Sequence, residues 1–261
     1  MKNIIFLLAF IGCFALVIAG KFHWDDKNEQ SGLAVSAEVE SGSLAEENSV
    51  KEKPISDEKL KKLVANFPEQ LHEKMMSSNE PVSLVIMGSE MIGTKEAGLE
   101  SIVEEGLEEA YWKGAFKVEQ ITFEEATTST VVQEELYKEV IQQKPDVVLM
   151  ETFTLNDNGN VVIEESHQNL STIITELKEA IPGISVMVMP SNPISDPDYY
   201  SLQINKLGDY AENKDFIYLD HWEAWPDVND EVIKKYLSDS KPNEKGFNVW
   251  GDFIVNYMSG K

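Results

Sequence analysis

Short apolar runs recur along this chain, separated by stretches whose apolar residues fall at helical spacing, and that alternation admits few folds. Ser83-Leu84-Val85-Ile86-Met87 is the first run, and the stripe Leu99, Ile102, Val103, Leu107 and Ala110 predicts a helix over 98–112 behind it. A second strand is expected over 116–123 and a helix over 129–143. Pro145-Asp146-Val147-Val148-Leu149-Met150 is continuously apolar after its first two residues, which suits a strand covered on both faces and places it centrally. Helix 168–180, strand 184–189, helix 199–211, strand 216–219 and a final helix 244–258 complete the series. Strand and helix in regular turn predict a three-layer α/β/α domain around a parallel sheet of about five strands. Such sheets carry their sites beyond the carboxyl ends of the strands, where the loops diverge.

The beginning of the chain obeys different rules. Lys2 leads into an apolar run from Ile4 to Ala19, with Lys21, Asp25, Asp26 and Lys27 beyond it, so residues 1–20 are expected to be an export segment. That segment is either cleaved near Ala19 and Gly20 or retained as a membrane anchor, giving an extracytoplasmic protein that is secreted or tethered. Cys13 is the single cysteine and belongs to this apolar run, so no disulfide is expected in the domain. Residues 21–58 are rich in Glu, Ser, Lys, Asn and Gly and read as an acidic linker without regular structure; the domain is expected over 59–261.

Charge narrows the choice of partner. The chain has 46 acidic against 22 basic residues, a net charge of −24, and every basic one is lysine. Without arginine or a basic cluster, a nucleic-acid partner is excluded, and phosphorylated or strongly anionic ligands are disfavoured. No Cys pair, no His-x-x-x-His and no glycine-rich phosphate loop occurs, so no metal and no cofactor is expected. The Asn156 to Asn160 stretch around Gly159 reads as an Asn-Gly turn rather than a calcium loop, since glycine is misplaced and no glutamate closes it.

Polar residues cluster at the expected strand ends: Gly88-Ser89-Glu90 after the first, Glu151 to Asp157 after the third, Asp220-His221-Trp222 after the fifth, and Lys241 to Gly246 before the last helix. With Thr154-Leu155-Asn156-Asp157 and Pro242-Asn243-Glu244-Lys245-Gly246 in those places, the chain resembles the SGNH/GDSL hydrolase family over roughly 83–257. The resemblance implies a flavodoxin-like sheet, a serine nucleophile after the first strand, an asparagine donor after the third and a histidine before the last helix. Read without a gap, Ser89 falls where the family has aspartate and Glu90 where it has the serine; a one-residue shift makes Ser89 the nucleophile. Lys241 stands at the histidine position, and Ser238 at that of its aspartate.

The resemblance therefore implies Ser89 as nucleophile and Asn156 as an oxyanion donor; for the base, His221 at the end of the fifth strand is the first candidate and Lys241 the second, His221 being otherwise an edge histidine bonded to the backbone beside Trp222 and Trp225. Trp222 and Trp225 either stack on a sugar ring or cover the sheet edge. Two functions follow. One is an extracytoplasmic esterase or deacetylase acting on a small ester or an acylated cell-envelope glycan; the other is an inactive descendant that binds an envelope glycan or a protein partner.

Overall fold

A computed structural model describes residues 53–261 apart from 196. The export segment and almost all of the linker lie outside the described residues. Among those described, no helix is long and apolar enough to cross a membrane.

Two helices, α1 (Asp57–Leu63) and α2 (Glu69–Ser77), precede the first strand. The α1 start is set by Ser56, whose side chain accepts the Lys59 N–H, so helix begins inside the stretch read as linker. Then come β1 (Val82–Gly88), α3 (Leu99–Ala110), β2 (Phe116–Thr122), α4 (Thr128–Gln133) and α5 (Tyr137–Gln143). They are followed by β3 (Val147–Glu151), α6 (Thr154–Asp157), α7 (Ile163–Ala180), β4 (Ser185–Met189), α8 (Asp198–Asn213) and β5 (Ile217–Tyr218). A two-stranded hairpin, β6 (Leu237–Ser238) with β7 (Lys241–Pro242), leads into α9 (Glu244–Met258).

The helix expected over 129–143 is two helices. Glu135 adopts a left-handed φ of 53°, which breaks the ladder and lets α5 restart at a new angle. The helix expected over 168–180 instead begins at Ile163.

β1 to β5 form one parallel sheet in the order β2-β1-β3-β4-β5, the flavodoxin-like order, with β3 at its centre as expected. The inner strands β1, β3 and β4 are sealed on both faces because alternate residues enter separate cores. Leu84, Ile86, Val147, Leu149, Met187 and Met189 face α1, α2, α3 and α9. Val85, Met87, Val148, Met150, Val186 and Val188 face α4, α5, α7 and α8. The reversal of winding between β1 and β3 opens a crevice at their carboxyl ends, where ligands of such sheets bind.

Contact between α3 and α9 relies on reciprocal glycines. A Cβ on Gly251 would sit 2.4 Å from Ile102 Cγ2, and one on Gly106 would sit 2.6 Å from Val255 Cγ2, so each helix receives a β-branched side chain of the other. Gly251→Ala is expected to lower the unfolding free energy by about 1–3 kcal/mol, measured by urea denaturation, through overpacking against Ile102. Ile102→Ala in the same chain should recover part of that loss; independent, additive effects of the two changes would show that the helices do not meet there.

Candidate functional site

Where β1 ends, the chain must turn beside the end of β3. Gly88 allows the approach, since a Cβ there would lie 2.6 Å from Glu151 Cβ and 2.8 Å from its Oε2. Ser89 follows and is wholly buried. Its N–H donates to Glu151 Oε2 at 2.7 Å, and its hydroxyl oxygen accepts the Met91 N–H at 3.3 Å, capping a 3-10 turn over Glu90–Ile92. Ser89 therefore acts as a cap turned into the protein.

Glu151 is itself wholly buried at the end of β3. Besides Ser89 it accepts the Phe153 N–H at 2.7 Å and the Ser191 hydroxyl, so one carboxylate gathers the ends of β1, β3 and β4. Burial pushes its carboxyl above the usual range, and the hydrogen bonds from Ser191, Ser89 and Phe153 restrain that shift. Phe153 is left-handed (φ 58°), which swings the chain into α6. Ser191 also holds that turn, accepting the Leu155 N–H at 3.1 Å and the Thr154 hydroxyl at 3.1 Å.

The turn so fixed presents Asn156. Its Nδ2 donates to Ala126 O at 3.0 Å and to Glu90 Oε2 at 3.2 Å. The next residue, Asp157, is buried and accepts the Thr128 N–H (2.8 Å), the Thr128 hydroxyl (2.7 Å) and the Ser166 hydroxyl (2.5 Å), tying α6 to α4 and α7. Burial raises its carboxyl as well, against those three donors.

Glu90 is the residue that faces the crevice. Oε2 accepts the Glu125 N–H at 2.9 Å together with Asn156 Nδ2, while Oε1 lies 3.7 Å from Lys241 Nζ. Glu125 has the left-handed φ of 56° that turns its amide toward the crevice from the loop after β2, a conformation glycine would adopt without cost. Partial burial works to raise the Glu90 carboxyl, but the Glu125 amide, Asn156, its own amide and the Lys241 charge outweigh it and bring it below the usual range. Glu90 is thus ionised at neutral pH.

Lys241 comes from β7. The hairpin turn beneath it, Asp239-Ser240, is left-handed at both positions, with φ of 49° and 66°, a geometry in which glycine is commoner. Asn192 Nδ2 fastens that turn by donating to Ser240 O at 2.9 Å.

His221 occupies the end of β5 as the sequence suggests, but its ring turns into the core. It is wholly buried and stacked on Trp250, with centroids 4.2 Å apart and planes at 10°. Trp225 Nε1 donates to its Nδ1 at 3.0 Å, and because an indole nitrogen can only donate, the imidazole proton resides on Nε2, which donates to Pro190 O at 2.9 Å. Burial depresses the ring to about 3, the Pro190 hydrogen bond opposing. Both ring nitrogens are committed, and neither meets Ser89.

Of the residues singled out in the sequence, then, the fold brings Asn156 and Lys241 together at the crevice and adds Glu90, the residue that the ungapped alignment puts at the nucleophile position. It does not join Ser89 to His221: the first is a buried cap and the second a buried stacking residue. Trp225 belongs to the core; Trp222 is half-buried against Tyr200, with its Nε1 donating to Ser191 O at 2.8 Å. The buried roles of Glu151 and Ser191 had no sequence signal beyond their places at strand ends. Among the described residues no group of His, Cys, Asp and Glu could hold a metal.

No family model matches the chain, and no curated protein matches it either. Solved structures do. A protein of Desulfitobacterium hafniense assigned to the lipolytic G-D-S-L family superposes with a TM-score of 0.57 at 15% identity, covering 67% of this chain and 99% of its own. A lipase/acylhydrolase from Enterococcus faecalis gives 0.54 at 17% identity, over 69% of this chain and 96% of that one. An acetylxylan esterase from Geobacillus stearothermophilus, solved as a catalytic mutant, gives 0.53 at 16% identity, over 69% and 94%. The chain has the SGNH/GDSL hydrolase-like fold.

The neutral, buried His221 makes a pH signature. Unfolded, its imidazole takes a proton near pH 6.5; folded, it resists protonation down to about 3. Between these values the unfolded chain binds the extra proton, so the stability that the neutral ring confers is full above pH 6.5 and falls as pH drops. Relative to His221→Phe, in which the carboxyl titrations of Glu151 and Asp157 are retained, the wild-type chain should lose about 2 kcal/mol between pH 7 and pH 5 in chemical denaturation. A difference between the two chains that does not change over this range would place the ring in contact with solvent.

Proposed function

We propose that this chain is a non-hydrolytic SGNH-like domain that binds its ligand in the Glu90–Asn156–Lys241 crevice, outside the cytoplasmic membrane. The observation that carries this reading is the place of Glu90: its ionised carboxylate holds Asn156 Nδ2, the donor that resemblance to the hydrolases reserves for the oxyanion of the substrate, together with the Glu125 amide. A developing negative charge would have to displace a fixed one. The apolar run 4–19 and the acidic linker support an extracytoplasmic place, with an envelope glycan or a protein as the partner.

Ester hydrolysis is the competing reading, and the fold shared with lipases and an acetylxylan esterase supports it. It needs Ser89 Oγ within hydrogen-bond reach of a base. Ser89 is wholly buried on Glu151, His221 has no free nitrogen, and the Lys241 ammonium stands beside the Glu90 carboxylate at 3.7 Å.

Purified chain is expected to hydrolyse short-chain p-nitrophenyl esters no faster than buffer does, and Ser89→Ala, His221→Ala and Lys241→Ala should leave that background unchanged. Turnover that is lost in Ser89→Ala, with circular dichroism showing an intact fold, would restore the esterase.

A further inference from the structure

Within the crevice the two oxygens of Glu90 differ. Oε2 is filled by two donors, whereas Oε1 accepts a hydrogen bond from no other described residue and has only the Lys241 ammonium at 3.7 Å, beyond hydrogen-bond length. The Glu90 side chain is 20% exposed and that of Lys241 52%, so both groups are within reach of a ligand from solvent. A strong acceptor and a strong donor thus stand 3.7 Å apart, both open to solvent.

The charges around this pair select against ions of either sign. An anionic ligand meets the fixed carboxylate on the oxyanion donors and a chain of net charge −24. A cationic ligand meets the Lys241 ammonium. What satisfies both groups is a neutral ligand that donates to one and accepts from the other through neighbouring atoms, and adjacent hydroxyls on a saturated ring do this. One hydroxyl bridges to Oε1 at about 2.7 Å while its neighbour accepts from Nζ at about 2.9 Å. The hydroxyls then satisfy each other's remaining capacity.

Taking the non-hydrolytic reading as its basis, we infer that Glu90 Oε1 and Lys241 Nζ together read a vicinal diol, so that the ligand is an uncharged saccharide. Glu90 is held rigidly by Glu125 and Asn156, and Lys241 rides on a hairpin pinned to Asn192 at Ser240, so the pair is organised before the sugar arrives. Glu90 acts here as a direct ligand contact.

The test uses the full-length chain with two neutral probes, cellobiose and N,N′-diacetylchitobiose, and two charged ones, acetate and glucosamine, by isothermal titration calorimetry. At least one neutral disaccharide should bind saturably, at least tenfold more tightly than either charged probe. Glu90→Gln and Lys241→Met should each weaken it tenfold or more while the melting temperature stays within a few degrees. Stronger binding of acetate or glucosamine, disaccharide binding indifferent to both substitutions, or no disaccharide binding at all overturns the diol assignment. p-Nitrophenyl acetate turnover, followed on the same preparation, separates the two failures. Turnover that depends on Ser89 overturns the non-hydrolytic reading, whereas its absence leaves that reading standing when only the sugar result fails.

Discussion

The Glu151 carboxylate, sealed from solvent at the end of the central strand, holds together the region in which everything functional lies. It receives the amide after β1, the amide after β3 and the hydroxyl after β4, so the three loops that diverge at the crevice share one anchor. A buried carboxylate is costly unless its lone pairs are filled, and here the strand ends fill them with donors that would otherwise themselves be orphaned. Gly88 exists for the same reason, because only a bare α-carbon lets β1 come so close. Ser89 is consequently a structural donor. Its neighbour Glu90, one residue further round the turn, is what the crevice receives.

Around that anchor the donors and charges of the crevice converge on one carboxylate. An amide from the loop after β2 and the asparagine after β3 converge on a resident anion. Where the resemblance expects a histidine to shuttle a proton, a lysine pairs with that anion. The Glu125 amide and Asn156 Nδ2 are thereby already satisfied within the chain.

Much of the architecture could be read from residues alone. Continuous apolar runs such as Val147 to Met150 mark strands covered on both faces, and the strands did form a parallel sheet with β3 central. What periodicity could not reveal was a break made by one backbone angle: Val131, Val140 and their neighbours carry helical spacing straight through Glu135, yet its left-handed conformation divides the helix. The site was legible as positions more than as the directions in which side chains turn. Asn156 and Lys241 were identifiable from their blocks. Ser89 and His221 were not, because sequence gives the place of a residue on a strand end but not the face to which it turns, and both turn inward to partners, Glu151 and Trp225, that no local pattern announces.

The last helix has a consequence for how the protein is made. Tyr111 hydroxyl donates to Met258 O across 147 residues, α9 interlocks with α3 through paired glycines, and Trp250 stacks on His221. One of the two helical layers therefore stays incomplete until α9 docks, with part of the apolar stripe of α3 uncovered until then. Closure of this layer thus joins residues far apart in the chain, so the α3–α9 side of the sheet forms as one cooperative unit rather than helix by helix.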